Sequence, residues 1–347
     1  MRKKTEKIRA FLIRQMYEKS PTPAAAACEK FGFSRQAVGR HIRRLIEEQV
    51  VTTEGKTKGR KYVLRPIANE TFTLPVSPDL QEDRVWRERV LPLLAGVREN
   101  VIRICEYGFT EMLNNVVDHS EGKSVTIVVE RTIAGVTMTV QDDGVGIFKK
   151  IQRVLHLDDA RHALLELTKG RVTTDPARHT GEGIFFSSRV FDEFSIRSDT
   201  LFFLHNVQDS DWLVDDVPFT QGTAVEMEIS ADALRTTKEV FDRYISAEED
   251  YSFSRTQIPV LLARYGDENL VSRSQAKRLL SRVNRFTQIV LDFRGIQMIG
   301  QAFADEVFRV FQNEHPAVRF SWVGAAPEVE QTIKRVRSQG AVEPKPK

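Results

Sequence analysis

Three short motifs in the middle of the chain carry residue types that can do chemistry on a bound small molecule. Glu111, Asn115 and His119 are spaced four residues apart, so a helix would present a carboxylate, an amide and an imidazole on one face. An Asp-x-Gly-x-Gly turn follows at residues 142–146, and a Thr-Gly-x-Gly stretch at residues 180–183. In this order, the motifs predict a pocket for ATP and its metal ion.

Each motif alone is weak evidence. An Asp-x-Gly-x-Gly sequence is often only a turn, and a pair of asparagines on a helix is usually only surface. All three motifs in sequence, with predicted strands between them, favour ATP binding over these structural explanations. The chain lacks the pattern Gly-x-x-x-x-Gly-Lys-Ser/Thr, which excludes a P-loop.

The elements that must position these motifs form an α/β pattern over residues 81–231. Two helices come first, and the second, from about residue 98 to residue 118, has an apolar stripe at helical period. The stripe consists of Val101, Ile104, Cys105, Phe109, Met112 and Val116. Predicted strands follow at residues 125–130, 135–141, 194–197, 200–206 and 223–229. We expect an α/β sandwich in which a helix layer covers a mixed sheet. Residues 66–80 contain three prolines and predict a linker with one short strand at residues 72–74.

The three motifs resemble those of the GHKL family, which includes sensor histidine kinases, gyrase, heat-shock chaperones, mismatch-repair ATPases and anti-sigma-factor serine kinases. The resemblance covers about residues 70–230. It implies that Asn115 ligates Mg²⁺, because an oxygen ligand suits a hard cation. It also implies that Asp142 accepts a hydrogen bond from the adenine amino group, and that Gly144 and Gly146 let the backbone approach the nucleotide.

The same resemblance describes the phosphate end of the pocket. Thr180, Gly181 and Gly183 would end a flexible lid and present backbone N–H groups to the phosphates at the start of a helix. Thr223 would add a hydroxyl at the pocket floor. His119 would shape the phosphate end rather than perform catalysis.

The lid implied by the resemblance is residues 148–179, which separate the two glycine motifs. Its basic residues, among them Lys169 and Arg171, suggest that the lid senses the γ-phosphate and that its closure changes a partner surface. The alternative is a solvated loop.

Glu111 decides whether the pocket does chemistry. It precedes Asn115 by one helical turn, and in the ATPases and serine kinases of the family a Glu here orients or deprotonates the attacking oxygen. Histidine kinases usually lack this Glu, and no helix with a phosphoacceptor histidine precedes the domain. ATP hydrolysis, transfer to a protein serine, and binding of ATP as a signal all remain open.

The first 65 residues are strongly basic, with 17 lysines and arginines against 6 acidic residues, whereas the remainder is acidic, with 34 against 42. A basic segment on an acidic body is typical of a module that binds a polyanion. The segment predicts three helices followed by a hairpin with a Gly-bearing basic tip.

This order of elements resembles a winged helix-turn-helix, which implies that the third helix enters the major groove of DNA. Residues of its first turn would reach base edges, namely Ser34, Arg35 and Gln36. Four further basic residues would lie near phosphates, namely Arg40, Arg43, Lys58 and Arg60. The alternative is a winged-helix module that binds protein.

Residues 232–250 predict a charged helical connector, and residues 251–338 a small α/β domain. Its strands are expected near residues 257–262, 288–293 and 318–323. The stretch that begins at Val290 resembles STAS domains, and more closely a STAS-like domain (DUF4325 type) found behind GHKL domains. Antagonists with a STAS fold offer a Ser or Thr for phosphorylation in the loop that here reads Gly300-Gln301-Ala302, without a hydroxyl. We expect the STAS-like domain to dock on the lid. Residues 339–347 are expected to be a disordered tail.

The sequence therefore predicts a multidomain α/β regulator. It has a DNA-binding domain at residues 1–65, an ATP-binding domain at 81–231 and a STAS-like domain. The preferred hypothesis is an ATP-gated DNA-binding transcriptional regulator with ATP and Mg²⁺ as ligands. The alternative is a serine/threonine kinase acting on a separate protein, and a third hypothesis is an interaction scaffold. A protein partner or self-association is left open. No membrane span or secretory signal is predicted, and two widely separated cysteines fit a reducing cytoplasm.

Overall fold

The computed structural model describes residues 2–55, 60–172, 180–206, 212–214, 217–245, 253–264 and 268–340. Its first unit has three helices, α1 (Arg2–Tyr17), α2 (Pro23–Phe31) and α3 (Arg35–Glu47), and a hairpin of β1 (Val51–Glu54) and β2 (Lys61–Leu64). The Ser34 hydroxyl caps α3 by accepting from the Ala37 N–H at 3.3 Å. Apolar residues from all three helices and both strands meet in one core.

The central unit is built on a seven-stranded sheet with the order β3-β4-β5-β9-β6-β7-β8. Its strands are β3 (Ala68–Pro75), β4 (Ser124–Arg131), β5 (Gly135–Asp142), β6 (Glu193–Asp199), β7 (Leu201–Asn206), β8 (Trp212–Val214) and β9 (Thr220–Ser230). Every pairing among these strands is antiparallel, so the expectation of a mixed sheet is wrong. The reason is that β9 returns between β5 and β6 and runs against both.

Residues 66–80, expected to be a linker with one short strand at residues 72–74, contain a longer strand that belongs to the central sheet. Residues 68–75 form the full edge strand β3, paired with β4 along its whole length. An edge strand has only one neighbour, so its outward positions tolerate polar residues, and only Phe72 is buried. The Arg89 guanidinium covers the Phe72 ring at 4.2 Å from its centroid and bonds to Glu70. The prolines stand at or beyond the ends of the strand, where no ladder N–H is needed.

Helices cover one face of this sheet. A short helix α4 (Glu82–Val85) continues through a π-helical turn to Leu94, and the long α5 (Glu99–His119) follows. The apolar stripe predicted for α5 is buried throughout, as its period requires. Three shorter helices flank the cavity described below: α6 (Ile147–Leu155), α7 (Ala160–Lys169) and α8 (Gly183–Val190).

The third unit is a small α/β unit, as predicted, and the structure shows that its sheet is parallel. Its strands β10 (Arg255–Pro259), β11 (Gln288–Asp292) and β12 (Arg319–Val323) pair in that order. Its helices are α10 (Arg273–Leu280), α11 (Gln301–Asp305), α12 (Phe311–Glu314) and α13 (Pro327–Gly340). In the predicted connector, only the short α9 (Thr237–Phe241) is helical within the described residues. The predicted tail lies outside the described residues from residue 341 onward.

The first unit rests on the central sheet through the end of α1. Gly135 at the start of β5 leaves room for the Tyr17 ring, because a Cβ there would lie 2.5 Å from it. The Lys19 ammonium lies 3.2 Å from a Glu228 carboxylate oxygen of β9 and 4.0 Å from Glu193 of β6. Within the described residues, no helix is long and apolar enough to cross a bilayer.

Candidate functional site

A cavity of about 280 Å³ opens between α5, α6, α8 and the adjacent ends of β5 and β9. The predicted pocket residues converge on it: Glu111, Asn115, His119, Asp142, Gly146, Thr180, Gly181, Gly183 and Thr223 all line its wall. Gly144 and Lys169 do not. Between the polar groups lie apolar side chains, including Met112, Val140 and Val225. An apolar pocket with a few convergent polar groups is the usual form of a small-molecule site.

Asp142 and Thr223 form the inner end of the cavity. Asp142 is the last residue of β5, is buried, and accepts from the Gly144 N–H at 2.8 Å. Burial raises the pKa of the Asp142 carboxyl, and the Gly144 and Thr223 N–H groups oppose this shift. The Thr223 hydroxyl accepts from the Ile147 N–H at 2.9 Å, so its own proton is available to another acceptor. The pair thus offers a carboxyl acceptor beside a hydroxyl donor.

The two glycines after Asp142 serve different purposes. Gly146 lines the cavity at a φ of +85°, and a Cβ there would meet the Ser198 hydroxyl at 2.6 Å. Gly144 lies behind the cavity, where a Cβ would collide with the Ser120 carbonyl oxygen. The expectation that Gly144 allows close approach of a nucleotide is therefore corrected: its missing side chain makes room for the end of α5.

Asn115 faces the cavity from α5, one turn after Glu111. Its Nδ2 is buried and finds no hydrogen-bond partner among the described residues. A buried amide group without a hydrogen-bond partner costs free energy of folding unless a ligand or a water molecule bonds to it. The described residues contain no cluster of three or more His, Cys, Asp or Glu that could hold a metal ion alone. One amide in such a site fits Mg²⁺, which takes few protein ligands and completes its shell with phosphate oxygens and water.

Glu111 and Gly183 meet at the other end of the cavity. A Cβ on Gly183 would collide with the Glu111 carboxylate, so the glycine lets this side chain approach the first turn of α8. The neighbouring Glu182 also lines the cavity, and burial raises the pKa of its carboxyl. Arg171 Nε lies 3.8 Å from Glu182 and partly offsets that shift. This end of the cavity therefore combines helix N–H groups with two carboxylates.

Lys169 is the clearest error among the predicted site residues. It is 1% exposed and its Nζ donates to Glu166 Oε1 at 2.7 Å and to the carbonyl oxygens of Arg278 and Ser281. Two of its protons are directed toward the third unit, the other is held by Glu166 of the same helix, and Lys169 does not line the cavity. The reason is that the last turn of α7 packs against β10, so a lysine there points into the interface.

Sequence reasoning missed several lining residues. Lys150 lies at the rim and pairs with Glu121 at 2.5 Å, while Ile147 and Ile151 line the wall from the same helix. These residues could have been predicted from their spacing directly after the Gly146 turn, because residues three and four apart in a helix share a face. Val172 also lines the wall, but only because the chain folds back on the 180–183 loop, and no local pattern reveals that.

The described residues among those predicted to meet DNA lie on the outer surface of the first unit. Those on α3 and its cap are exposed: Ser34, Arg35, Gln36, Arg40 and Arg43. Arg60, at the start of the second hairpin strand, is exposed as well. Lys58 lies outside the described residues. The first unit contacts the central sheet through the end of α1, so the basic face of α3 stays uncovered.

Comparison with known families agrees with the geometry. Residues 77–201 match the histidine kinase-like ATPase domain. Residues 275–330 match a STAS-like domain of unknown function (DUF4325). No curated protein matches the chain. The ATPase domain implies ATP binding, usually with Mg²⁺, and together the two domains suggest ATP-dependent regulation.

Proposed function

We propose that the chain is an ATP-gated DNA-binding regulator. Binding of ATP with Mg²⁺ in the central cavity would bias the position of the lid and of the third unit, and thereby the affinity of the first unit for DNA. The observation that carries the proposal is the single cavity in which a buried acceptor, Asp142, and an unsatisfied amide, Asn115, share an apolar wall.

The inner end of the cavity suits an adenine ring. Asp142 supplies an acceptor for an exocyclic amino group, and the Thr223 hydroxyl supplies a donor for a ring nitrogen. The apolar side chains around them, Met112, Val140 and Val225, would contact the faces of a flat base. This combination favours adenine over guanine, whose corresponding ring position carries an oxygen.

The outer end suits phosphates and a hard cation. The loop at residues 180–183 leads directly into α8, whose first N–H groups are unpaired within the helix. Asn115 would hold Mg²⁺ through its amide oxygen, and its NH₂ group could then donate to a phosphate. When bound, Mg²⁺ would neutralise part of the phosphate charge beside Glu111 and Glu182.

The first unit supplies the DNA-binding part of the proposal. Its three helices and hairpin have the order of a winged helix-turn-helix, and the third helix carries an exposed basic face. That face is the electrostatic footprint expected of a protein that neutralises phosphates.

Anisotropy titration of a mixed-sequence DNA duplex, with and without ATP and Mg²⁺, tests the whole proposal. Binding should weaken steeply between about 50 and 200 mM salt. ATP with Mg²⁺ should shift the DNA dissociation constant by about fivefold or more, a typical coupling between two sites. A chain that binds ATP but shows the same DNA affinity throughout contradicts the gating mechanism.

A second candidate, a serine/threonine kinase, is favoured by the position of Glu111. Its carboxylate lies against the first residue of α8, where an attacking oxygen near the terminal phosphate would be found. Incubation with γ-labelled ATP and lysate separates the two functions. Label on a second protein that is lost with Glu111→Gln favours the kinase, whereas retained ATP or free phosphate favours the gated regulator.

A further inference from the structure

The last turn of α7 is joined to the third unit by a buried ammonium group. Lys169 Nζ lies 2.7 Å from Glu166 Oε1 on its own helix, 2.9 Å from the Ser281 carbonyl oxygen and 3.2 Å from that of Arg278. These partners use all three of its protons. Two of them are carbonyl groups at the end of α10, where a positive charge is favourable, and that of Arg278 also accepts from the Ser281 N–H.

Two further contacts hold α7 to the same unit. The buried hydroxyl of Thr256, on β10, donates to the Lys169 carbonyl oxygen at 2.7 Å. Near the other end of α7, His162 Nε2 lies 3.1 Å from Arg278 Nη1. The helix is therefore attached at both ends by polar groups that face β10 and α10.

The residues after α7 continue this attachment. Gly170 has a φ of +82°, and a Cβ there would meet the Phe253 ring at 2.6 Å, so the chain passes tightly against the third unit. Arg171 and Arg285 exchange hydrogen bonds, each guanidinium donating to the other's carbonyl oxygen, at 3.1 and 2.8 Å.

The same segment then reaches the cavity. The Val172 N–H donates to the Gly181 carbonyl oxygen at 3.2 Å, and Val172 itself lines the cavity wall. Gly181 has a φ of +73°, and a Cβ there would lie 2.5 Å from the Val172 backbone. The loop at residues 180–183 is thus supported by residues 169–172, which are supported in turn by β10 and α10.

We propose that the third unit is a brace for the phosphate end of the nucleotide site, acting through Lys169 and Thr256. This inference rests on the proposed function, because it assumes that the cavity binds ATP. With the brace intact, the 180–183 loop is held where it lines the cavity, and its N–H groups need no reordering when phosphates bind. Loosening the brace weakens recognition of phosphates and leaves recognition of the adenine end unchanged.

The coupling acts in both directions. If the docked third unit tightens the grip on the phosphates, bound ATP must tighten the docking of the third unit by the same factor. Lys169 and Thr256 are positioning residues here, since neither lines the cavity. Any signal that changes the third unit at β10 or α10 would then reach the nucleotide through this contact.

Titration calorimetry on the full chain tests the brace, with ATP plus Mg²⁺ and with adenosine as separate ligands. Thr256→Val keeps the side-chain shape and removes the donor to the Lys169 carbonyl, and Lys169→Met removes the ammonium. Thr287→Val is the matched control, because its hydroxyl donates to the Ser254 carbonyl within the third unit, at 3.4 Å, and not to α7.

We expect Thr256→Val to raise the ATP dissociation constant by about fivefold, since a buried carbonyl loses its partner, and Lys169→Met to raise it further. Adenosine affinity should stay within about twofold, and Thr287→Val should match the wild type for both ligands. Because Lys169→Met risks unfolding the protein, the ATP affinity of Thr256→Val decides whether the brace exists. Unchanged ATP affinity in a folded Thr256→Val variant, or an equal loss for adenosine, overturns the brace alone. A wild-type chain that binds no adenine nucleotide overturns the proposed function, and the brace with it.

Discussion

Replacing Asp142 by Asn tests the adenine end of the site without changing its shape. The Gly144 N–H donates to Asp142 Oδ1 at 2.8 Å, so an asparagine would keep its carbonyl oxygen on that donor. Its NH₂ group would then be left to face the amino group of the ligand, which is also a donor. A hydrogen bond to a charged group contributes about 1.5–3 kcal/mol. Its loss should raise the dissociation constant for ATP about 10- to 150-fold.

Calorimetric titration with ATP and Mg²⁺ measures this change, and the chain contains a matched control. Asp143 is the next residue, but its carboxylate accepts from Lys123 and Ser124 and does not line the cavity. Asp143→Asn removes the same charge and should leave ATP affinity within about threefold of the wild type. A folded Asp142→Asn variant that binds ATP as tightly as the wild type would refute the assignment of the adenine end.

Three further predictions concern turnover, pH and coupling. Glu111→Gln should retain ATP binding and lower any phosphate release or transfer by about 10²- to 10⁴-fold in a radiolabel assay; an equal loss of binding would show that Glu111 only shapes the site. Burial raises the pKa of the Asp142 carboxyl, and a ligand amino group needs its charged form, so ATP affinity should fall as pH falls through that raised pKa. The fall should begin at a higher pH than for an ordinary aspartate and be missing in Asp142→Asn, as calorimetry across pH would show. Lys19→Glu places a third negative charge beside Glu228 and Glu193, so DNA affinity should cease to respond to ATP while ATP affinity stays unchanged; a preserved ATP response in anisotropy titrations would contradict the role of this contact.

The parts of the site that sequence patterns predicted are those whose signals are local. Glu111, Asn115 and His119 share a helix face because of helical period alone, and the structure brings all three to the cavity. The turn at residues 142–146 follows a strand with alternating burial, so its position was also readable.

The errors arise where distant segments decide the outcome. Phe72 is the one buried residue of β3, and the segment is a strand because it pairs with β4, far along the chain at residues 124–131. Whether the strands pair parallel or antiparallel depends on where β9 enters the sheet, and the spacing of apolar residues carries no information about that. Lys169 looked like a phosphate ligand because basic residues surround it in sequence. Besides Glu166 on its own helix, its partners are carbonyl oxygens 109 and 112 residues away.

The positions of the units limit how ATP could influence DNA binding. Strands β5 and β9 are neighbours; the first unit rests at one end of this pair, where Gly135 faces Ser230, and the cavity lies at the other, where Gln141 faces Ala224. Over eight residues the two ends are about 23 Å apart, so a nucleotide cannot touch the first unit. Packed strands in a sheet interior deform little. The cavity wall also includes Val172 and the 180–183 loop, which lie outside the sheet and are supported by the third unit. We therefore expect ATP to change the position of the third unit relative to the central unit. The first unit would keep its place on the central sheet and move with that sheet, which would alter how the protein meets DNA.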